Sequence, residues 1–243
     1  MLNYLRLELL QVLRDRYYLF FALALPVAFY LLWSSIFAGD RLDPVTGLTS
    51  SVDIMISMAS YGALGATLMS TGVRLAAERR SGWLRQLRVT PLTPATVIVV
   101  KTLAAMSLGL PAVVLVGLAS VLWQGVRLDP PQWVAITALL WVGTLPFAAL
   151  GTLIGSLAGP DAAQPITLGA YFGLAVAGGM WVPLSVLPQV IRDVAAALPS
   201  TRFAELGRAV AAGHAPPVSA GIVLAAWTAA LGVLAVVAYR RAW

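Results

Sequence analysis

The sequence predicts an all-α integral membrane protein. Six transmembrane helices are expected, with an N-terminal amphipathic helix in the interface, a short basic helix between the second and third spans, and short re-entrant helices between the fifth and sixth. Three observations carry this prediction. Of 243 residues, 60% are hydrophobic and 11% charged, with a mean hydropathy of +0.86, whereas soluble domains are nearer half apolar and a quarter charged. The apolar residues fall in runs of about 20, the length that crosses a bilayer as a helix. The sixteen lysines and arginines collect at the ends of those runs, where lipid headgroups and the positive-inside rule place them.

Taken in order, residues 2–16 set Leu2, Leu5, Leu9, Val12 and Leu13 on one helical face and Arg6, Gln11, Arg14 and Asp15 on the other, the pattern of an interfacial helix. The first span covers about 17–38, interrupted only by Pro26. It exceeds the h-region of a signal peptide and reads as a retained anchor. Residues 39–52 form a polar loop. The second span, about 53–74, carries Ser57, Ser60, Gly62, Gly65, Thr67, Ser70 and Gly72. Such small residues let helices approach closely in lipid, either as packing sites or as the wall of a path. The third span is expected at 96–123, with Lys101 within snorkelling reach of the interface. The fourth is expected at 133–158 with Pro146 inside it, and the fifth at 166–182 after a turn at 159–165. Residues 185–212 are too polar and proline-broken to cross; they read as extracytoplasmic helices broken at Pro199. The last span is 218–239, closed by Arg240 and Arg241. Trp33, Trp123, Trp133 and Trp181 fall near span ends, as interface anchors do. The whole chain reads as one membrane domain.

Orientation follows the basic residues. With the N-terminus inside, the inner segments hold Arg6, Arg14, Arg16, Arg74, Arg79, Arg80, Arg85, Arg88, Lys101, Arg240 and Arg241; the outer ones hold Arg41, Arg127, Arg192, Arg202 and Arg208. Eleven against five puts both termini in the cytosol of a plasma-membrane protein, although the inner turn at 159–165 carries only Asp161.

The same distribution makes nucleic acid an unsuitable partner, despite a net charge of +6 and a pI near 10.2, and membrane lipid a suitable one. Zero cysteines and one histidine, His214, remove disulfides, thiolate metal sites and cysteine nucleophiles. Every acid lies at a span end or in a loop, so proton or sodium coupling has little to use. No HExxH, GxSxG or GxxxxGK[ST] motif is present. No cofactor is expected on this chain, and it is not read as an enzyme. Energy for uphill movement would have to come from a separate subunit.

The densest charge lies between Arg74 and Arg88, with five arginines and one acid, Glu78. Residues 82–88 place Trp83, Leu84 and Leu87 on one side of a helix and Arg85 and Arg88 on the other, and Pro91 and Pro94 stop it. Arg74 is read as a plain topology signal. Glu78 is not explained by orientation; a local ion pair with Arg79 or Arg85 is its simplest structural reading.

Glu78, Arg79, Gly82, Leu84, Leu87, Thr90, Pro91, Leu92 and Lys101 occur in an order that resembles the coupling-helix region of type-2 ABC exporter permeases, the membrane subunits of bacterial drug, antibiotic and lipid-polymer exporters with an ABCG-like fold. GGMWVPLSVLPQVI and LPSTRFAEL, within 178–213, are similar to that family's segment between its fifth and sixth spans. Arg85 departs from the pattern, in which many members carry an acid. The resemblance implies two permease copies, forming a homodimer, with two ATP-binding subunits that hold ATP and Mg2+. It further implies a coupling helix at about 78–88. Glu78 and Arg79 would start it, with Gly82 within it; Trp83, Leu84 and Leu87 would fill a groove on the ATPase, and Arg80, Arg85 and Arg88 would meet its acidic rim or lipid phosphates. The second and fifth spans would line the path, and Pro183, Pro188 and Pro199 would shape the outer gate. An amphipathic or apolar cargo fits a path without fixed charge. An ATPase-independent transporter or channel, and a non-transporting scaffold subunit, are the competing readings.

Overall fold

The computed structural model describes residues 2–14, 16–37, 47–83, 86, 89, 93–182, 184 and 188–242. Ten α-helices carry the fold among these residues: α1 (Leu2–Arg14), α2 (Arg16–Phe37), α3 (Ser50–Arg80), α4 (Pro94–Gln124), α5 (Pro130–Val142), α6 (Leu145–Leu157), α7 (Pro160–Ala177), α8 (Gln189–Ala197), α9 (Pro199–Ala211) and α10 (Val218–Ala242). Among the described residues, four stretches are long and apolar enough to cross a membrane, Ser50–Arg80, Ala95–Gln124, Pro130–Leu157 and Val218–Arg241, and Ala22–Phe37 within α2 is a shorter apolar stretch.

Local chemistry sets most helix ends. Thr93 caps α4: its hydroxyl accepts from the Thr96 amide at 3.2 Å, and Pro94 follows at a first-turn position that needs no N–H. The same helix stops at Gly125, whose φ of +63° suits glycine, and the Val126 amide folds back to the Ser120 carbonyl at 3.2 Å. Asp129 and Gln132 start α5 with a capping box, the Asp129 amide donating to Gln132 Oε1 at 2.9 Å. Asp53 in the first turn of α3 and Arg79 and Arg80 in its last turn complement the helix dipole.

Three boundaries differ from the sequence expectation. The second span does not end at 74; α3 runs unbroken to Arg80, because Ala76 and Ala77 favour helix and the charges that follow find partners on neighbouring helices. Glu78, Arg79 and Arg80 therefore belong to α3 rather than to a separate helix starting at 78. The fourth run is two helices, α5 and α6, parted at Gly143 and Thr144. Pro146 supplies no N–H to bridge them, and Phe203 fills the space where a Cβ on Gly143 would lie, 2.6 Å from its ring. The predicted turn at 159–165 is the start of α7. Pro160 is compatible with a first helical turn, and the helix ends at Ala177, short of Val182, where Gly178 and Gly179 (φ +68°) turn the chain.

Helix α3 is the axis of the bundle: 83% of its most apolar window is buried, against 22% for α10. It packs on α2, α4, α6 and α7, while α10 packs mainly on α6. The small residues of the second span are buried in these contacts, except Ser70, which is half-buried. Gly72 lies against Thr167 of α7, and a Cβ added to it would come 2.6 Å from the Thr167 hydroxyl. Gly155 of α6 faces the Gly72 carbonyl at a similar distance. Ser57, Ser60 and Thr67 are 4% exposed or less. These positions serve helix packing within the chain.

The two ends of the bundle are chemically distinct. At one end α1, the C-termini of α3, α6 and α10 and the N-termini of α4 and α7 meet. At the other, Gln124 donates to the Ser34 carbonyl and Gln132 to the Val210 carbonyl, and α9 crosses over the bundle. Arg208 pins α9 there, with 2.6 Å to Asp53 on α3, 2.8 Å to the Ser57 hydroxyl and 3.3 Å to the Gly179 carbonyl. Helices α8 and α9 are parted at Leu198, and Pro199 opens the second of them. Of the four tryptophans read as anchors, Trp123 is exposed and Trp33 stacks on Phe37. Trp181 instead joins Phe29, Tyr61 and Phe172 in an aromatic cluster, with ring centroids 5.4–5.5 Å away.

Candidate functional site

The basic end holds a ring of four charges contributed by three helices. Tyr4 and Glu8 lie one turn apart on the buried face of α1; Arg74 and Glu78 lie one turn apart on α3; Lys101 comes from the second turn of α4. Arg74 Nη2 is 3.2 Å from Glu8 Oε2 and its Nε is 3.2 Å from Glu78 Oε1. Lys101 Nζ lies 2.9 Å from Glu8 Oε1 and also bonds Glu78 Oε2. Each cation thus bridges both carboxylates, and the ring is neutral. The side chains of Glu8, Lys101, Glu78 and Arg74 are 5%, 9%, 12% and 23% exposed. Charges that far from water persist only because each has opposite charge within hydrogen-bond reach.

An apolar plate seals the ring: Tyr4, Leu75, Val97, Val100 and Tyr239 are buried together, with Leu5, Trp83 and Ile98 packed against them. The last helix reaches the site through Tyr239. Burial alone would raise the pKa of Glu8. The charge and hydrogen bond of Lys101, the neighbouring Tyr4 hydroxyl and the charge of Arg74 outweigh it, and the carboxyl titrates below its ordinary range. Burial, followed by the charge of Glu8, pushes the Tyr4 hydroxyl well above its usual value. A depressed carboxyl contributes stability above its unfolded pKa, near 4.3 for glutamate, and loses it as pH falls through the lower folded value. The melting midpoint of the wild type is therefore expected to drop with acidification below that range. In Glu8→Gln the midpoint is lower at neutral pH and this acid-limb decline is shallower. Parallel melting curves across the acid range would remove Glu8 as the titrating group.

Next to the ring, Arg79 donates to the carbonyls of Gly155 and Ala158 at 3.0 and 3.1 Å. It thereby satisfies acceptors at the C-terminal end of α6 that have no intrahelical partner. Arg80 reaches Asp161 at 3.3 Å through exposed side chains; such a pair adds little stability but supplies the basic partner that residues 159–165 lack.

The sequence-predicted residues are distributed as follows. Glu78 and Arg79 turn inward, and Arg80 is exposed. Gly82 adopts φ +76° just beyond α3, and Trp83 packs on the apolar plate. Leu84, Arg85, Leu87, Arg88 and Pro183 lie outside the described residues. Pro188 precedes α8, and Pro199 is buried in the first turn of α9. Glu78 pairs with Arg74 and Lys101 rather than with Arg79, and Arg74 is a member of the ring rather than a plain topology signal. Lys101 turns into the ring instead of snorkelling. Sequence reasoning missed Glu8, Tyr4 and Tyr239 altogether. The available signal was Glu8 set between Leu7 and Leu9, one turn from Tyr4 in a helix otherwise apolar on that side.

Comparison with known proteins adds the decisive finding: the family described as "ABC-2 type transporter" matches residues 3–211. The chain belongs to the ABC-2 type transporter family. It is a multi-pass membrane member of it, and its described helices cover the match from α1 to the end of α9. Among curated relatives, the putative transport permease YvfS of Bacillus subtilis (strain 168) is 29% identical over 196 residues, 81% of this chain and 79% of the relative. The inner membrane transport permease YhhJ of Escherichia coli (strain K12) is 29% identical over 148 residues, 59% of this chain and 38% of the relative.

Proposed function

We propose that this ABC-2 family chain is the permease subunit of an ATP-driven exporter, crossing the plasma membrane six times with both termini in the cytosol. Two copies would pair as a homodimer with two ATP-binding subunits, which bind ATP and Mg2+; this chain holds neither. The cargo class that suits a path on the dimer axis, lined by α3 and α7 and without fixed charge, is amphipathic or apolar.

The observation that carries the reading is the four-charge ring behind the tip of the α3–α4 hairpin. In this reading the coupling segment is residues 82–88: Leu84 and Leu87 would meet the ATPase groove and Arg85 and Arg88 its rim, while Trp83 ties the segment to the apolar plate behind it. Force on that segment reaches α3 and α4 directly. Through Glu8 it reaches α1, through Arg79 it reaches α6, and through Arg80 it reaches α7. A bundle so connected at one end moves as a unit when ATP closes the two nucleotide-binding subunits. At the far end, Pro188 and Pro199, at the starts of α8 and α9, would shape the outer gate together with Pro183.

Gentle extraction of tagged protein from its native membrane, followed by mass spectrometry, tests this. An ATP-binding subunit is expected at equal stoichiometry and is expected to be lost in Leu87→Asp, which leaves the buried ring untouched. Recovery of the permease without any ATP-binding subunit would overturn the proposal, as would full ATP-dependent transport by Leu87→Asp.

A further inference from the structure

Near the end of the bundle opposite the charge ring, a slot of about 280 Å³ opens between α3, α4 and α5. Ile56 and Ala59 form its buried floor. Val114, Leu118 and Val121 lie at helical spacing along its lip and are 43%, 53% and 43% exposed, so the slot faces sideways out of the bundle. Trp133 makes the back wall. Gly117 leaves room for it, since a Cβ there would come 2.9 Å from the indole ring. Thr137 brings the one side-chain hydroxyl in the lining.

We propose that this slot is a lipid site that takes one acyl chain of a bilayer phospholipid, with the lipid phosphate against Arg127. Lining and place argue for hydrocarbon. An apolar cavity of roughly 150 Å³ in a soluble protein stays dry and accepts benzene; this one is larger, and its open side lies among residues that face the membrane interior. A flexible chain fills such a space, whereas water has almost no polar partner in it. Charge argues for the headgroup. Arg127 lies in the loop joining the two helices that flank the slot, six residues beyond Val121 and six before Trp133. It is exposed, and no acid pairs with it among the described residues. Asp129, the other charged residue of that loop, is engaged in the capping box of α5. Guanidinium is well matched to a phosphate diester, and a chain descending from that point runs along the lip of α4.

The inference rests on membrane insertion and not on the exporter reading. Its test uses full-length protein in vesicles of phosphatidylethanolamine and phosphatidylglycerol that carry a trace of phosphatidylglycerol with a diazirine in one acyl chain. After illumination, adducts are mapped by peptide mass spectrometry. Labelling is expected to concentrate on 113–121 and 133–137, several-fold above Val233 and Leu234, which are equally lipid-facing on α10. Filling the slot with Ala59→Leu and Val114→Phe together is expected to bring it down to that background. Arg127→Glu, an exposed loop change that leaves the lining intact, is expected to reduce phospholipid labelling several-fold while leaving labelling by a diazirine-bearing diacylglycerol unchanged. Uniform labelling of all lipid-facing helices, or labelling that persists in the filled variant, would overturn the site. Equal loss of both probes, or of neither, in Arg127→Glu would overturn the phosphate contact. Displacement of the lipid probe by a transported amphiphile, with transport lost in the filled variant, would reassign the slot to cargo.

Discussion

Glu78→Ala is expected to lower the stability of the folded permease by about 3 kcal/mol and to abolish transport while the spans still insert. The change leaves Arg74 and Lys101 sharing one carboxylate, Glu8, so a net positive charge stays buried under α1. Breaking a buried ion pair from one side costs roughly 3–5 kcal/mol, and the partial exposure of Arg74 favours the low end. The companion variants separate charge balance from charge number. Glu78→Leu with Lys101→Met removes one charge of each sign and leaves Arg74 paired with Glu8 at 3.2 Å. That pair of changes is expected to cost less than either one alone, with a coupling energy of about 1–3 kcal/mol. Melting midpoints of detergent-purified protein measure it. Additive effects, each below about 0.5 kcal/mol, would show that the ring does not hold α1 to the hairpin. Transport assays on the same variants add a second reading: a neutral ring that restores stability without transport would assign the charges a role beyond packing.

The second large effect is expected at Gly155, where α6 presses on α3. A Cβ there would stand 2.6 Å from the Gly72 carbonyl oxygen, 2.9 Å from the Leu75 Cβ and 3.0 Å from the Thr71 carbonyl oxygen. Two of these three are backbone atoms, which cannot rotate away. Gly151, one turn earlier, meets the Thr71 hydroxyl and the Leu68 carbonyl in the same way, so the two glycines form a small-xxx-small contact. Gly155→Ala is expected to cost about 1–3 kcal/mol by overpacking. Gly155→Val is expected to leave little monodisperse protein, because parting α6 from α3 also draws the Gly155 and Ala158 carbonyls away from Arg79. Gly232 of α10 has open space where its Cβ would go. Gly232→Ala is therefore expected to be neutral or stabilising by up to about 1 kcal/mol, the helix preference of alanine over glycine. Similar yields and melting points for the variants at 155 and 232 would refute the close contact.

These two sites differ in how visible they are in the chain. Glycines spaced four apart in an apolar run announce a close helix contact, but nothing in GTLIG names the partner. Opposition of Gly155 to Gly72 depends on which of several apolar helices is the neighbour, and α3 is selected only when all of them pack. The four-charge ring is harder still to read. Arg74 and Glu78 are one turn apart and can be paired on paper. Glu8 and Lys101 are remote in sequence, and a lone acid in an amphipathic helix looks like any other member of its polar face until α1 is laid over the hairpin.

By itself the sequence determined the membrane setting and the all-helical class, because apolar runs, prolines and capping residues act over a few neighbouring residues. It also carried the family resemblance, through the order of residues from Glu78 to Lys101. Tertiary structure alone decided that α3 continues to Arg80, that Glu78 points inward, and that Arg79 and Arg208 bind carbonyls and carboxylates on distant helices. The physical reason is the low dielectric of the bundle: a charge in it must find its complement, and the complement is chosen by which helices touch rather than by which residues are adjacent.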